Sequence, residues 1–139
     1  MVDFLLLDFD GNVYSFGNAN DNDGCYRGYS IDVQGYYGKL GLGDSKDRKH
    51  PVKVPISDIT SISNGDYRVM MLKNNGDVYI CGCMLDMRYL GLGLEEKANP
   101  VTTPTKVESL CDISIIALGS PSILYLITTF GKNKLSTCD

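Results

Sequence analysis

A single histidine, His50, stands in the 139-residue sequence, so any Ser-His or Cys-His relay would have to pass through it. His50 precedes Pro51 in a proline-bearing segment, which places it in an exposed connection. Positive charge is also short: 13 Lys and Arg against 17 Asp and Glu give a net charge of −4 and a pI near 4.9, with no local arginine-rich stripe. The sequence carries no electrostatic footprint for direct nucleic-acid binding. Long apolar runs are missing too. Phe4-Leu5-Leu6-Leu7 is far shorter than the ~20 residues a membrane helix needs, so no membrane partner is expected, and no secretory leader is recognisable. Five cysteines (Cys25, Cys81, Cys83, Cys111, Cys138) form an odd set without framework spacing, from which we expect reduced thiols and an intracellular location. Finally, the 15 glycines and 5 prolines leave no room for a long helix. Val, Ile, Tyr and Thr gather instead in short runs between Gly, Asn, Asp and Ser clusters, an all-β pattern.

What is present is repetition. Asp10-Gly11-Asn12-Val13-Tyr14-Ser15-Phe16-Gly17 returns as Asn75-Gly76-Asp77-Val78-Tyr79-Ile80-Cys81-Gly82, with Gly11 and Gly76 separated by 65 positions (76 − 11). An apolar run precedes each copy, Phe4 to Leu7 and Val69 to Leu72, so each reads as strand, tight turn, strand. Asp-Gly and Asn-Gly predict two-residue hairpin turns with positive φ at Gly11 and Gly76. The first leading strand is apolar at every position, which predicts an interior strand covered on both faces. Gly38-Lys39-Leu40-Gly41-Leu42-Gly43 recurs as Arg88-Tyr89-Leu90-Gly91-Leu92-Gly93 at an offset of only 50 (91 − 41). The polar, turn-rich residues 18–35 account for the difference as a loop insertion in the first repeat. Proline-bearing connectors follow, His50 to Pro55 and Pro100 to Val107. Next come Ile59-Thr60-Ser61-Ile62-Ser63-Asn64-Gly65 and Ile113-Ser114-Ile115-Ile116-Ala117-Leu118-Gly119, at an offset of 54 (119 − 65). A third hairpin is expected around Phe130-Gly131, in a degenerate final repeat. The organisation is therefore a partial repeat (1–17), the insertion (18–35), a repeat (36–82) and a degenerate repeat (83–139).

Four features in fixed order resemble the regulator of chromosome condensation repeat: Gly-x-Leu-Gly-x-Gly, a proline connector, Ile-x-x-Ile-x-x-Gly before an apolar strand, and x-Gly-x-Val-Tyr-x-x-Gly. The resemblance covers nearly the whole chain outside residues 18–35. It implies a β-propeller, usually of seven four-stranded blades, in a family whose founding member is a nucleotide-exchange factor for the small GTPase Ran. Structural glycines follow at Gly11, Gly17, Gly38, Gly41, Gly43, Gly65, Gly76, Gly82, Gly91, Gly93 and Gly119. The histidine usual after the Ile-x-x-Ile-x-x-Gly glycine is Arg68 or Ser122 here, and the tryptophan before the closing glycine is Phe16 or Cys81. Propellers close with about four to eight blades. Two and a fraction repeats are too few to close alone, so we expect a partial β-propeller that self-associates through open sheet edges.

Competing chemistry is weak. Asp8-Phe9-Asp10-Gly11 after an apolar strand resembles the nucleophile motif of haloacid dehalogenase-like phosphatases, with Asp8 as nucleophile and Asp10 as acid/base, and Gly43-Asp44-Ser45-Lys46-Asp47 imitates their later acidic motif. Both stretches belong to repeats, however, and no helical crossover separates them. Asp21-Asn22-Asp23-Gly24 fails as a calcium loop because Ala19 and Ser30 fall where carboxylates are required. Cys81-Gly82-Cys83 has no second cysteine pair with which to hold zinc. We therefore expect no metal, no cofactor and no enzymatic activity, but a protein-binding scaffold. Its candidate contact residues, in or beside the insertion, are Asp21, Asp23, Tyr26, Arg27, Tyr29, Asp32 and Tyr36, since tyrosine anchors interfaces and loops carry binding. The partner class implied by the family resemblance is a small GTPase, with exchange activity as the alternative function.

Overall fold

A computed structural model of the chain describes residues 4–19, 38–65, 68–82, 101–119 and 123–128, and every regular element among them is a strand. Nine strands run in chain order: β1 Phe4–Leu7, β2 Val13–Gly17, β3 Arg48–Lys53, β4 Ile59–Asn64, β5 Arg68–Lys73, β6 Val78–Gly82, β7 Val101–Lys106, β8 Ile113–Gly119 and β9 Ile123–Thr128. They form three antiparallel sheets, ordered β1-β2-β3, β4-β5-β6-β7 and β8-β9. This is an all-β partial propeller: among the described residues a four-stranded blade lies between sheets of three and two strands, fewer than the about four to eight blades that close a ring. No described helix is long and apolar enough to cross a membrane.

The sequence offsets reappear as register. β1-β2 and β5-β6 are equivalent hairpins, pairing Leu7 with Val13 and Leu72 with Val78. Each is closed by a turn longer than Asp-Gly and Asn-Gly predict. The Asp8 amide donates to Asn12 O (3.0 Å) and the Gly11 amide to Asp8 O (3.2 Å), and Lys73-Asp77 and Gly76-Lys73 repeat the pattern at 2.9 and 3.1 Å. Three residues therefore make each loop, with Gly11 (φ 79°) and Gly76 (φ 87°) in the left-handed region. Extending a tight turn by one left-handed residue matches the twist of the flanking strands, an arrangement a dipeptide signal does not distinguish.

Two further expectations give way. The proline connectors are themselves strands: Pro51 lies in β3 and Pro104 in β7, each at the edge of its sheet among the described residues. A residue without an amide proton loses nothing where no neighbouring strand accepts it. The pairing slips once in each case, between Ser15 and Gly17 and between Ile80 and Gly82. Nor do the described residues cover β1 on both faces. It is the outermost described strand of its sheet, with Phe4 and Leu6 each 49% exposed on one face. Leu5 and Leu7, on the other face, pack onto the core.

Two apolar layers join the sheets. Val13 and Val54 of the first sheet meet Ile59, Val69, Met71 and Cys81 of the second. Met70, Leu72, Val78 and Ile80, on the reverse side of the second sheet, meet Val107, Leu110, Ile113 and Ile116. β5 and β6 thus alternate sides residue by residue, so a continuous apolar run is buried on both faces. Where the sheets meet, the Ile59 amide donates to Gly11 O (3.1 Å) and the Ile113 amide to Gly76 O (3.2 Å). The residues just before, Asp58 (φ 62°) and Asp112 (φ 54°), are left-handed non-glycines, a conformation that Asp tolerates better than most residues.

Cys111 is disulfide-bonded, against the expectation of reduced thiols, whereas Cys81 is a free buried thiol. Disulfide pairing requires Cβ atoms to converge in three dimensions, and cysteine spacing carries no record of that.

Candidate functional site

The glycine motif of the first repeat lies between two sheets and is structural. Ser15 Oγ donates to Leu40 O at 2.7 Å, Cys81 Sγ lies 3.6 Å from Lys39 O, and the Gly43 amide reaches Thr102 O at 2.9 Å. A Cβ on Gly38 would stand 2.6 Å from the Cα of Thr102, so only glycine permits this approach. Burial pushes the Cys81 thiol up to about 12, which leaves it protonated and unsuited to nucleophilic or metal chemistry.

The carboxylates singled out by motif are committed to local structure. Asp8 Oδ1 accepts from the Asp10 amide (3.0 Å) and the Asn12 amide (2.8 Å), and Oδ2 accepts from Asn12 Nδ2 (2.9 Å). The Asn12 side chain, helped by these amides, holds the Asp8 carboxyl below its usual range. Asp8 anchors a turn here, whereas the phosphatase role would need an uncommitted oxygen at the end of a parallel strand. Asp44 receives Arg48 on both oxygens, at 2.9 and 2.8 Å, and this contact lowers its pKa likewise. Among the described residues no group of three or more His, Cys, Asp or Glu is placed to hold a metal ion. His50 is exposed, in β3.

The seven contact residues expected from sequence, Asp21, Asp23, Tyr26, Arg27, Tyr29, Asp32 and Tyr36, lie outside the described residues, as do Gly91, Gly93 and the third hairpin. Ala19, at the start of the insertion, is buried, its amide bonded to Asp47 Oδ1 at 2.9 Å.

A different surface stands out. On the outward face of the first sheet Phe4 stacks on Phe16, with centroids 4.9 Å apart and planes 16° from parallel, and half-exposed Leu6 pairs with Tyr14 beside them. Phe9, at the tip of the turn, is fully exposed. Shifting each by 65 gives the equivalents in the second sheet: Val69 for Phe4, Met71 for Leu6, Tyr79 for Tyr14 and Cys81 for Phe16. There Val69, Met71 and Cys81 are buried against the first sheet. The open face of the first sheet is therefore an inter-blade face with no blade on it among the described residues, and it carries Phe4 and Phe16 where its covered counterpart carries Val69 and Cys81. Sequence reasoning misses it by treating β1 as interior; comparing the two hairpins position by position is the available signal. Large aromatic and aliphatic side chains exposed together mark interaction surfaces.

No protein-family model matches the chain, and no curated protein matches it in sequence. Solved structures do resemble it. Human WBSCR16 is 16% identical with a TM-score of 0.65 over 91% of this chain and 28% of its own. Prp20p from Saccharomyces cerevisiae, described together with its binding properties to Gsp1p and histones, is 25% identical with a TM-score of 0.61 over 85% of this chain and 27% of its own. Yeast RCC1 (Prp20) bound to Kap60 gives 22% identity and a TM-score of 0.51 over 85% of this chain and 38% of its own. The chain has an RCC1-type fold and spans well under half the length of these proteins.

Proposed function

We propose that this chain is a protein-binding module of the regulator of chromosome condensation repeat type, with no catalytic chemistry of its own. The open aromatic face of the first sheet is the observation that carries the reading. It is an apolar surface whose counterparts Val69, Met71 and Cys81 in the neighbouring sheet are buried, and the fully exposed Phe9 lies in the adjoining turn. The committed carboxylates and the protonated buried thiol support the non-enzymatic half of the reading. A small GTPase is the first partner to test, because the repeat resemblance implies one and Prp20p was characterised with Gsp1p. Histones are the second, on the same ground.

Binding without nucleotide exchange is the expected behaviour. Exchange needs a rigid element that displaces phosphate or magnesium contacts, supported by a scaffold that does not yield. Biolayer interferometry against a panel of small GTPases and core histones tests the binding, and release of a fluorescent nucleotide tests the chemistry. Saturable binding with unchanged release supports the proposal. Release accelerated about a hundredfold, equivalent to about 2.7 kcal/mol of barrier, would replace it with the exchange-factor reading, and silence across the whole panel refutes the partner class.

A further inference from the structure

β3 and β7 can be matched position by position. Gly17 pairs with Arg48 and Tyr14 with Lys53 in the first sheet, Gly82 with Val101 and Tyr79 with Lys106 in the second, and both pairings slip at the same point. The offset is 53 throughout (101 − 48, 106 − 53) and brings Pro51 onto Pro104. Matching backbones carry different side chains. Lys49 and His50 stand where β7 has Thr102 and Thr103, so the place of the strand in its sheet does not call for them.

The lysine common to both strands sits in two different settings. Lys106 Nζ lies 3.2 Å from Asp77 Oδ1 and 3.9 Å from Glu108 Oε2. In the first repeat the position of Asp77 is taken by Asn12 (77 − 65) and that of Glu108 by Pro55 (108 − 53), so both counter-charges are gone. Lys49, His50 and Lys53 are exposed, and among the described residues none of the three makes an ion pair or a side-chain hydrogen bond. Asp8 feels Lys53 only as the weakest of the influences on its carboxyl, its oxygens being taken up by the Asp10 and Asn12 amides and the Asn12 side chain. Arg48, by contrast, is neutralised by Asp44 at 2.8 Å. Lysine and proline on an edge strand also discourage pairing between sheets. β7 meets that need with Pro104 and a single lysine, and Lys49 exceeds it.

We propose that β3 is a docking strip for an acidic, extended segment of a protein partner, with Lys49 and Lys53 as its charge anchors and His50 as a polar contact between them. Four strand positions span about 13 Å, a distance matched by carboxylates on alternate residues of an extended segment. A nucleic acid fits less well, because its continuous phosphate charge would also face Asp44 and Asp47 in the loop leading into β3 and a chain of net charge −4. The inference rests on the protein-binding reading and gives the partner a charge.

The probe is a labelled peptide of alternating Glu and Thr, titrated into the full chain at low salt and read by fluorescence anisotropy. Its Gln-for-Glu counterpart and a single-stranded oligonucleotide of equal charge are the controls. Saturable binding of the acidic peptide alone is expected, fading as ionic strength approaches about 1 M, where screening acts within about 3 Å. Lys49→Gln and Lys53→Gln should each weaken it about two- to five-fold, as exposed ion pairs do, and together about ten-fold. Lys106→Gln, which removes an ammonium already paired with Asp77, should change it by less than about two-fold. Absence of binding, or a loss from Lys106→Gln equal to the others, overturns the proposal. So does an oligonucleotide that binds as tightly and is weakened by the same two variants, because the strip would then be a general polyanion site. A GTPase or histone bound equally well by the double variant, with no binding of the peptide, removes the strip and leaves the proposed function standing. Peptide binding with silence across that panel keeps the strip and refutes the partner class.

Discussion

Substituting alanine for glycine at three left-handed positions separates backbone strain from close approach between sheets. Gly43, Gly76 and Gly38 have φ of 84°, 87° and 54°, so each variant carries the ~1–2 kcal/mol that an L-residue costs in this region. Their surroundings differ. A Cβ on Gly43 would meet only the side-chain methyl of Thr103 at 3.6 Å, an ordinary contact, whereas on Gly76 it would meet Asp112 Cα at 3.0 Å, Asp112 N at 3.1 Å and Ile113 N at 3.2 Å. Backbone atoms cannot rotate aside. The second and third sheets must separate slightly, which strains the Ile113-to-Gly76 hydrogen bond of 3.2 Å, itself contributing about 0.5–1.5 kcal/mol. Gly76→Ala should thus destabilise by about 2–3 kcal/mol, roughly twice Gly43→Ala. Gly38→Ala, facing the Thr102 Cα at 2.6 Å, should exceed both, at about 3 kcal/mol or more once overpacking is added. Urea unfolding with midpoint and slope fitted for each variant gives the ordering. Equal losses at the three sites, or the largest at Gly43, would refute the argument that interlocking of sheets, and not turn conformation alone, fixes these glycines.

Two other outcomes are expected. Ser15→Ala leaves the buried Leu40 carbonyl without the 2.7 Å hydroxyl donor and should cost about 1–3 kcal/mol, measurable as a shifted urea midpoint; an unchanged midpoint would show that the glycine motif is held by its backbone contacts alone. The Cys81 thiol is raised by burial from 9.0 to about 12, so the unfolded chain loses this proton first. The resulting stability is complete below about pH 9 and falls as pH rises toward about 12, by at most about 1.4 kcal/mol per pH unit. Cys81→Ala lacks that loss, and the gap between it and the wild-type chain should narrow from about pH 8 to about pH 10; a constant gap would contradict the burial of the thiol.

The repeats were legible because their strongest signals are local. A glycine between two apolar runs specifies a hairpin, and Gly11 and Gly76 adopt the positive φ that the motif predicts. Strand order along the sheet edges was less legible. Pro51 and Pro104 argue against a strand wherever both edges must pair, and only the sheet order shows that β3 and β7 pair on one edge among the described residues. Likewise, the uniform apolarity of Phe4 to Leu7 fits burial on both faces, and what it leaves out is whether a neighbouring sheet lies on each. Arg68, where the repeat usually has histidine, is buried in β5; the motif marked the position without indicating its environment. The left-handed Asp58 and Asp112 are invisible in sequence because a lone Asp-Ile dipeptide carries no turn signal until its partner glycine from the previous sheet is known.

The joint that those two residues make has an evolutionary consequence. Gly11 O, Ile59 N, Gly76 O and Ile113 N belong to the main chain, so the spacing between consecutive sheets is written in atoms that every amino acid shares. Substitution can wander across the remaining positions while a turn glycine and a residue tolerant of left-handed backbone are retained in each repeat. Lineages built this way keep their shape long after their sequences have ceased to align, which accounts for a TM-score of 0.65 at 16% identity in a chain that no family model matches.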